Sequence, residues 1–308
     1  MIPAPSTSEL RFRRILRWYA RQPLRPGRSH LKRLARWVWG PQRLREVYPG
    51  LLMQLDLRIF DQTKLHYFAE ECEPALQWLV HHLLPVGGTF VDVGANAGFF
   101  GLIALHYREA RACFVEPHPG CAAGIRTSLT ANGFTDRAFV FECAAAAQEG
   151  RCRFETQSDS GATYHVLADE SPGRQVIDVQ QRPLAALLKE AGFPRVDFLK
   201  VDAEGQDLQA LHGLGDWLAP ERIPCLHVEA DHEAGAISEL LAGRCYVPIG
   251  TQNAGYPDYC ARSKRCGEFP ALACDVATSR NKIWIQRDSA HHAFLVRWSE
   301  LHRRWMQR

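Results

Sequence analysis

Residues 88–101, GTFVDVGANAGFFG, run a short apolar strand straight into glycines and then into a helix. A buried strand that ends in such a turn brings backbone N–H groups close to a ligand, because no side chain stands between them. The same order recurs downstream. The strand-like runs ARACFVEP, AFVFECAAAA, VDFLKVDAEG and IPCLHVEAD alternate with the helical patterns FFGLIALHYRE, GCAAGIRTSLTANG, PLAALLKEAG and QDLQALHGLGDWL. This alternation predicts an α/β fold, a parallel sheet with helices on both faces. In such a sheet ligands collect at the carboxyl ends of the strands.

The residues just past each strand are therefore the candidate site. They are Asp92, Gly94, Asn96 and Gly98 after the first and Glu116 with Pro117 after the second. Glu142, Cys143 and Ala144 follow the third, Lys200, Asp202 and Glu204 the fourth, and Glu229 and Asp231 the fifth. Glu116 stands 24 residues beyond Asp92, a distance that suits a carboxylate accepting from a ribose diol. Neither a G-x-G-x-x-G run nor a Gly-Lys-Ser/Thr triplet is present, which argues against a dinucleotide or a P-loop phosphate. Asp92 beside the turn would repel a pyrophosphate. It would attract the sulfonium and α-ammonium of S-adenosylmethionine.

Charge is unevenly spread along the 308 residues. Residues 1–45 hold twelve Arg and Lys against one acid, Glu9, while the whole chain carries only +3, so a basic arm joins an acidic body. Within the arm, residues 8–21 read as a basic amphipathic helix and residues 31–39 as a second one. Packing on its own body is one role for the arm. Contact with an anionic membrane through residues 1–45 is another. No apolar run approaches 18 residues, and arginines interrupt every apolar cluster near the N-terminus. The ten cysteines form no C-x-x-C pair and sit largely in apolar runs, as buried thiols of a reducing cytoplasm do. The expected location is cytoplasmic, with the inner membrane surface as a peripheral site. The expected division is an extension over 1–47, a catalytic domain over 48–286 and a C-terminal helix over 287–308.

EPALQW, FVDVGANAGFFGLIA, FVEPHP, DFLKVDAEGQDLQALHG and LHVEAD together resemble the FkbM-type S-adenosylmethionine-dependent methyltransferases. The resemblance covers roughly residues 48–232. It implies a Rossmann-like, seven-stranded class I methyltransferase sheet whose last strand is antiparallel. It also implies O-methylation of a hydroxyl, on a glycan or a secondary metabolite. RPLAALL at residues 182–188 departs from the family pattern, in which Leu-Asp is usual, and the basic arm lies outside it.

Methyl transfer to a hydroxyl requires alignment of donor and acceptor and removal of one proton. Lys200, Asp202 and Glu204 are the catalytic candidates, with Asp202 or Glu204 as base. Asp92, Gly94, Asn96, Gly98, Glu116, Pro117 and Ala144 are the candidates for the cofactor. Tyr164, His165 and Glu229 are those for the acceptor, the first two from an irregular stretch over 155–175. Glu204 could instead cap the helix after it, and Lys200–Asp202 could be a structural ion pair. His227, in mid-strand, reads as a core residue. A divalent cation held by Glu229, Asp231 and the neighbouring acids is an alternative to direct base catalysis, and no metal ligand is assigned. Rival functions are a nucleic-acid methyltransferase and a non-catalytic binding protein. The first is disfavoured because DAEG stands where base-amine methyltransferases carry Asn/Asp-Pro-Pro-Tyr/Phe, and because the body is acidic.

Overall fold

The computed structural model describes residues 42–156, 166–167, 175–229, 233–251, 272–273 and 281–306. The chain enters through a hairpin, β1 (Gln42–Tyr48) and β2 (Leu51–Asp56), whose first strand straddles the expected boundary at residue 47. Two helices follow, α1 (Phe60–Phe68) and α2 (Pro74–Leu83). The alternating part begins with β3 (Thr89–Val93), α3 (Phe99–Arg108), β4 (Arg111–Val115), α4 (Pro119–Asn132) and β5 (Ala138–Phe141). A small sheet interrupts it, built from β6 (Ala144–Ala145), β7 (Gly150–Glu155), β8 (Val166–Leu167) and β9 (Val176–Arg182) in the order β6-β9-β7-β8. The alternation resumes with α5 (Leu184–Glu190), β10 (Phe198–Val201), α6 (Asp207–His212), β11 (Cys225–Glu229), α7 (Ala234–Gly243) and β12 (Tyr246–Thr251). The chain ends with β13 (Leu272–Ala273), β14 (Asn281–Gln286) and α8 (Ala290–Met306).

The main sheet runs β5-β4-β3-β10-β11-β14-β12, with the two-residue β13 at its edge. Neighbours from β5 to β11 are parallel, and β14 is antiparallel to both β11 and β12. This is the expected seven-stranded arrangement with its last strand reversed. The order turns back between β3 and β10, which opens a crevice at their carboxyl ends.

Side chains alternate across the sheet with a period of two. Phe90, Phe114, Phe198, Cys225 and Ile283 face α2, α3 and β2 in one core. Val91, Val93, Val115, Leu199, Val201, Leu226 and Trp284 face α5, α6 and α7 in the other. Helix α3 is buried over Phe99, Phe100, Gly101, Leu102, Ile103, Ala104 and Leu105, so it is apolar on nearly every side. Each of the Phe, Leu and Ile side chains among them, removed from water, stabilises the fold by about 1.5–3 kcal/mol before entropy is set against it. Asp92, Lys200 and His227 share the face of Phe90, Phe198 and Cys225, and they stand abreast across β3, β10 and β11. Three polar residues in register on an apolar face mark where the core gives way to a site. Among the described residues no helix is long and apolar enough to cross a membrane.

Candidate active site

A cavity of about 310 Å³ lies over the carboxyl ends of β3, β4 and β10. Gly94, Ala95, Asn96 and Ala97 form its floor, and Glu116 and Pro117 stand at the β4 side. Lys200, Asp202, Ala203, Glu204 and Gln206 close the β10 side. Asp61, Lys64, Leu65, Cys72 and Glu73, from α1 and the turn before α2, cover it, while Ala144, Ala145 and Phe154 add an apolar wall from the small sheet.

The turn after β3 is shaped by three left-handed residues, Gly94 (φ 69°), Asn96 (φ 50°) and Gly98 (φ 75°). A Cβ at Gly94 would collide with the Asp202 carbonyl oxygen, so this position demands glycine for space as well as for conformation. Gly94 and Ala95 donate their N–H groups to the Val115 carbonyl, which ties the turn to β4. Gly98 caps α3, and a Cβ there would press on Ile125 and Phe114. Its place is in the packing beneath the turn. The Asn96 side chain accepts from Gln62 Nε2 at 3.0 Å, and its backbone N–H donates to Glu116 Oε2 at 2.6 Å.

Glu116 also accepts from the His118 N–H at 2.8 Å. Burial, opposed by these two backbone donors, pushes its carboxyl up to about 7. A carboxylate offers about four acceptor sites, so two N–H donors leave capacity for hydroxyls from the cavity. His118 is occupied elsewhere, its Nδ1 accepting from the Gly120 and Cys121 N–H groups at the start of α4.

Asp92 lies beneath the floor, 1% exposed, accepting from the Gly101 N–H at 3.2 Å. Lys200 Nζ stands 3.5 Å from Asp92 Oδ1 and 3.0 Å from Asp202 Oδ2, between the two acids. Asp92 Oδ1 itself has no hydrogen-bond partner. Burial raises the Asp92 carboxyl, and Lys200 offsets part of that. Burial also works against the Lys200 charge, but Asp202, Asp92 and Glu73 outweigh it and hold the ammonium above its ordinary value. Burial likewise opposes the Asp202 charge, yet Lys200 and a hydrogen bond with Glu229 keep it below its ordinary value. Glu229, desolvated and facing Asp202, is pushed far up.

Lys200 cannot serve as a base while it stays charged, and Asp202 is held between Lys200 and Glu229. Besides Glu116, two other carboxyls on the cavity are raised. Glu204, at the rim, is raised to about 7 by partial burial and then by Asp202 and Asp207. Glu73 is raised to about 7 by burial and then by Asp202, with Lys200 opposing. Asp207, not Glu204, caps the segment before α6, accepting from the Ala203 N–H at 2.8 Å and the Gly205 N–H at 3.3 Å. His227 is buried with neither ring nitrogen hydrogen-bonded, and burial with Lys200 nearby drives it down to about 3, so it stays neutral. Glu142 faces away, paired with Arg126 at 3.0 Å.

Pro117 and Ala144 line the cavity as their strand ends predict. Glu229 reaches it only through Asp202. Tyr164, His165 and Asp231 lie outside the described residues. Among the described residues no cluster of three or more His, Cys, Asp or Glu is arranged to hold a metal ion. Asp61, Lys64 and Glu73 are the lining residues that strand-end reasoning misses, because α1 and the α2 turn lie outside the alternating pattern. Glu73 had one visible signal, its place at the head of EPALQW.

The strand order, the reversed β14 and the cavity at the β3–β10 switch define a class I methyltransferase fold. A model of the methyltransferase FkbM domain matches residues 92–256, more than half of the chain, and the chain belongs to that family. It is similar to methyltransferase sdnD of Sordaria araneosa, 26% identical over 43% of this chain and 62% of that protein, so the match spans less than two thirds of the relative's length. Among solved structures it is similar to the METTL16 MTase domain, 12% identical with a TM-score of 0.41, over 78% of this chain and 75% of that one. It is also similar to M. capricolum TrmK, solved with S-adenosyl-homocysteine, 9% identical with a TM-score of 0.37, over 68% and 65%.

Proposed function

We propose that this protein is an S-adenosylmethionine-dependent O-methyltransferase whose acceptor is a hydroxyl of a glycan or a secondary metabolite. The observation that carries the reading is the charge of the cavity. Five carboxyls line it, Asp61, Glu73, Glu116, Asp202 and Glu204, against two lysines, Lys64 and Lys200. Both lysines already face acids, Lys64 at 2.7 Å from Asp61 and Lys200 as described. Such a cavity suits a cationic nucleoside and resists a phosphate chain.

S-adenosylmethionine, when bound, supplies a methyl group activated by its sulfonium. Glu116 would accept from the ribose hydroxyls, and Val93, Val115, Ala144 and Phe154 offer apolar surface to the base. Lys200 holds Asp202 in place and fixes the charge at the β10 end. Glu204, with a carboxyl poised near neutrality at the open rim, takes the acceptor's proton. A general base of this kind contributes about 10²–10⁴-fold, and alignment by the closed cavity supplies the rest.

The test incubates the protein with methyl-labelled S-adenosylmethionine and separate panels of neutral sugars, phenols and RNA. The expected result is an alkali-stable methyl ether on a sugar or phenol. Glu204→Gln is expected to slow the transfer at least 100-fold with cofactor affinity kept. Label on RNA alone would replace this reading with a nucleic-acid methyltransferase.

A further inference from the structure

Glu73 is a cavity residue that the strand-end pattern does not predict. It occupies the position just before α2 with φ 44° and ψ 60°, a left-handed conformation, and Pro74 follows it. A side chain disfavours that conformation, and a following proline restricts it further. Three of the six described non-glycine residues with positive φ, Glu73, Asn96 and Glu204, line this one cavity. Backbone strain gathered at a ligand site directs side chains that the site uses.

The layout of the site says which part of a ligand Glu73 would meet. The strands stand in the order β4-β3-β10. A nucleoside anchored at Glu116, past β4, would send its tail across the Gly94 turn to the end of β10. There Glu73 lies within electrostatic reach of Lys200, Asp202 and Asp92. Lys200, one of two lysines that act on Glu73, is held between Asp92 and Asp202, and Lys64, the other, pairs with Asp61. The tail of S-adenosylmethionine carries an α-ammonium.

We propose that Glu73 binds the α-ammonium of the cofactor's amino-acid tail. This rests on the methyl-transfer reading above. Burial and Asp202 hold this carboxyl up to about 7, so an arriving ammonium would ionise it and form a charge-assisted hydrogen bond.

Calorimetry on the full chain separates the two ideas, using S-adenosylhomocysteine, which has the tail, and 5′-methylthioadenosine, which lacks it. Glu73→Gln is expected to weaken S-adenosylhomocysteine about 10–100-fold and methylthioadenosine less than about twofold. Glu73→Gly relieves the left-handed backbone, so it should melt no lower than the parent while losing the same affinity. Parent-like S-adenosylhomocysteine binding by either variant overturns the assignment, as does an equal loss for both nucleosides. A parent protein that binds neither nucleoside removes the methyl-transfer reading itself.

Discussion

Gly94 and Gly133 have the same φ of +69°, but a Cβ at Gly94 meets the Asp202 carbonyl while one at Gly133 meets nothing within 4 Å. Substituting each by alanine isolates the steric part of the requirement. The left-handed backbone costs an alanine about 1–2 kcal/mol, and the stiffer unfolded chain returns about 0.4–1 kcal/mol. Gly133→Ala should therefore cost about 0–1.6 kcal/mol, a fall in Tm of at most roughly 6 °C. Gly94→Ala carries the same cost and an overpacking term of about 1–3 kcal/mol, because its Cβ would sit far inside van der Waals contact with a backbone atom. That atom cannot rotate away like the end of a side chain. The total, about 1–4.6 kcal/mol, lowers Tm by roughly 2–18 °C. Moving Asp202 also disturbs its 3.0 Å contact with Lys200, so Gly94→Ala should lose S-adenosylhomocysteine affinity at least about 10-fold while Gly133→Ala keeps it. The assays are thermal melting and calorimetry on the three proteins side by side. Equal melting shifts, or parent-like binding by Gly94→Ala, would refute the argument that the turn must lie against β10.

Two further outcomes are expected. Glu116 titrates near 7 in the folded chain against an ordinary 4.5, so the native state keeps its proton over that window and stability falls as pH rises from about 4.5 to about 7. Glu73 and Glu204, raised to about the same value, add to this fall, so Glu116→Gln should reduce but not abolish it in urea midpoints measured without ligand; an unchanged slope would show that Glu116 does not contribute. Deleting residues 1–41 should leave nucleoside binding intact and abolish salt-sensitive cosedimentation with anionic vesicles; if the shortened protein still pellets with them, or the full chain never does, the arm has no membrane role.

The two halves of the site differ in how far they could be read in advance. Asp92, Gly94, Glu116, Lys200 and Asp202 were legible because strand ends are local features, a run of apolar residues stopped by glycine or charge. Topology then brings strand ends together whatever their distance along the chain. Helix α1 was not legible, since FDQTKLHYF has no strong apolar stripe and is held by the hairpin and Gln62 rather than by its own pattern. The small sheet was equally hidden. The pairing of residues 150–155 with β9 is a long-range contact that no local periodicity announces.

Taken alone, the residue order determined the alternating architecture, the acids at the strand ends and the family, because each is written in short segments with their own spacing. Only the tertiary structure decided what those acids do. It buried Asp92 under Lys200, gave Asp202 a hydrogen bond with Glu229, and brought Glu73 from outside the alternating region to the cavity wall. The physical reason is that a carboxyl's proton affinity depends on desolvation and on charges a few ångströms away, and sequence distance carries neither.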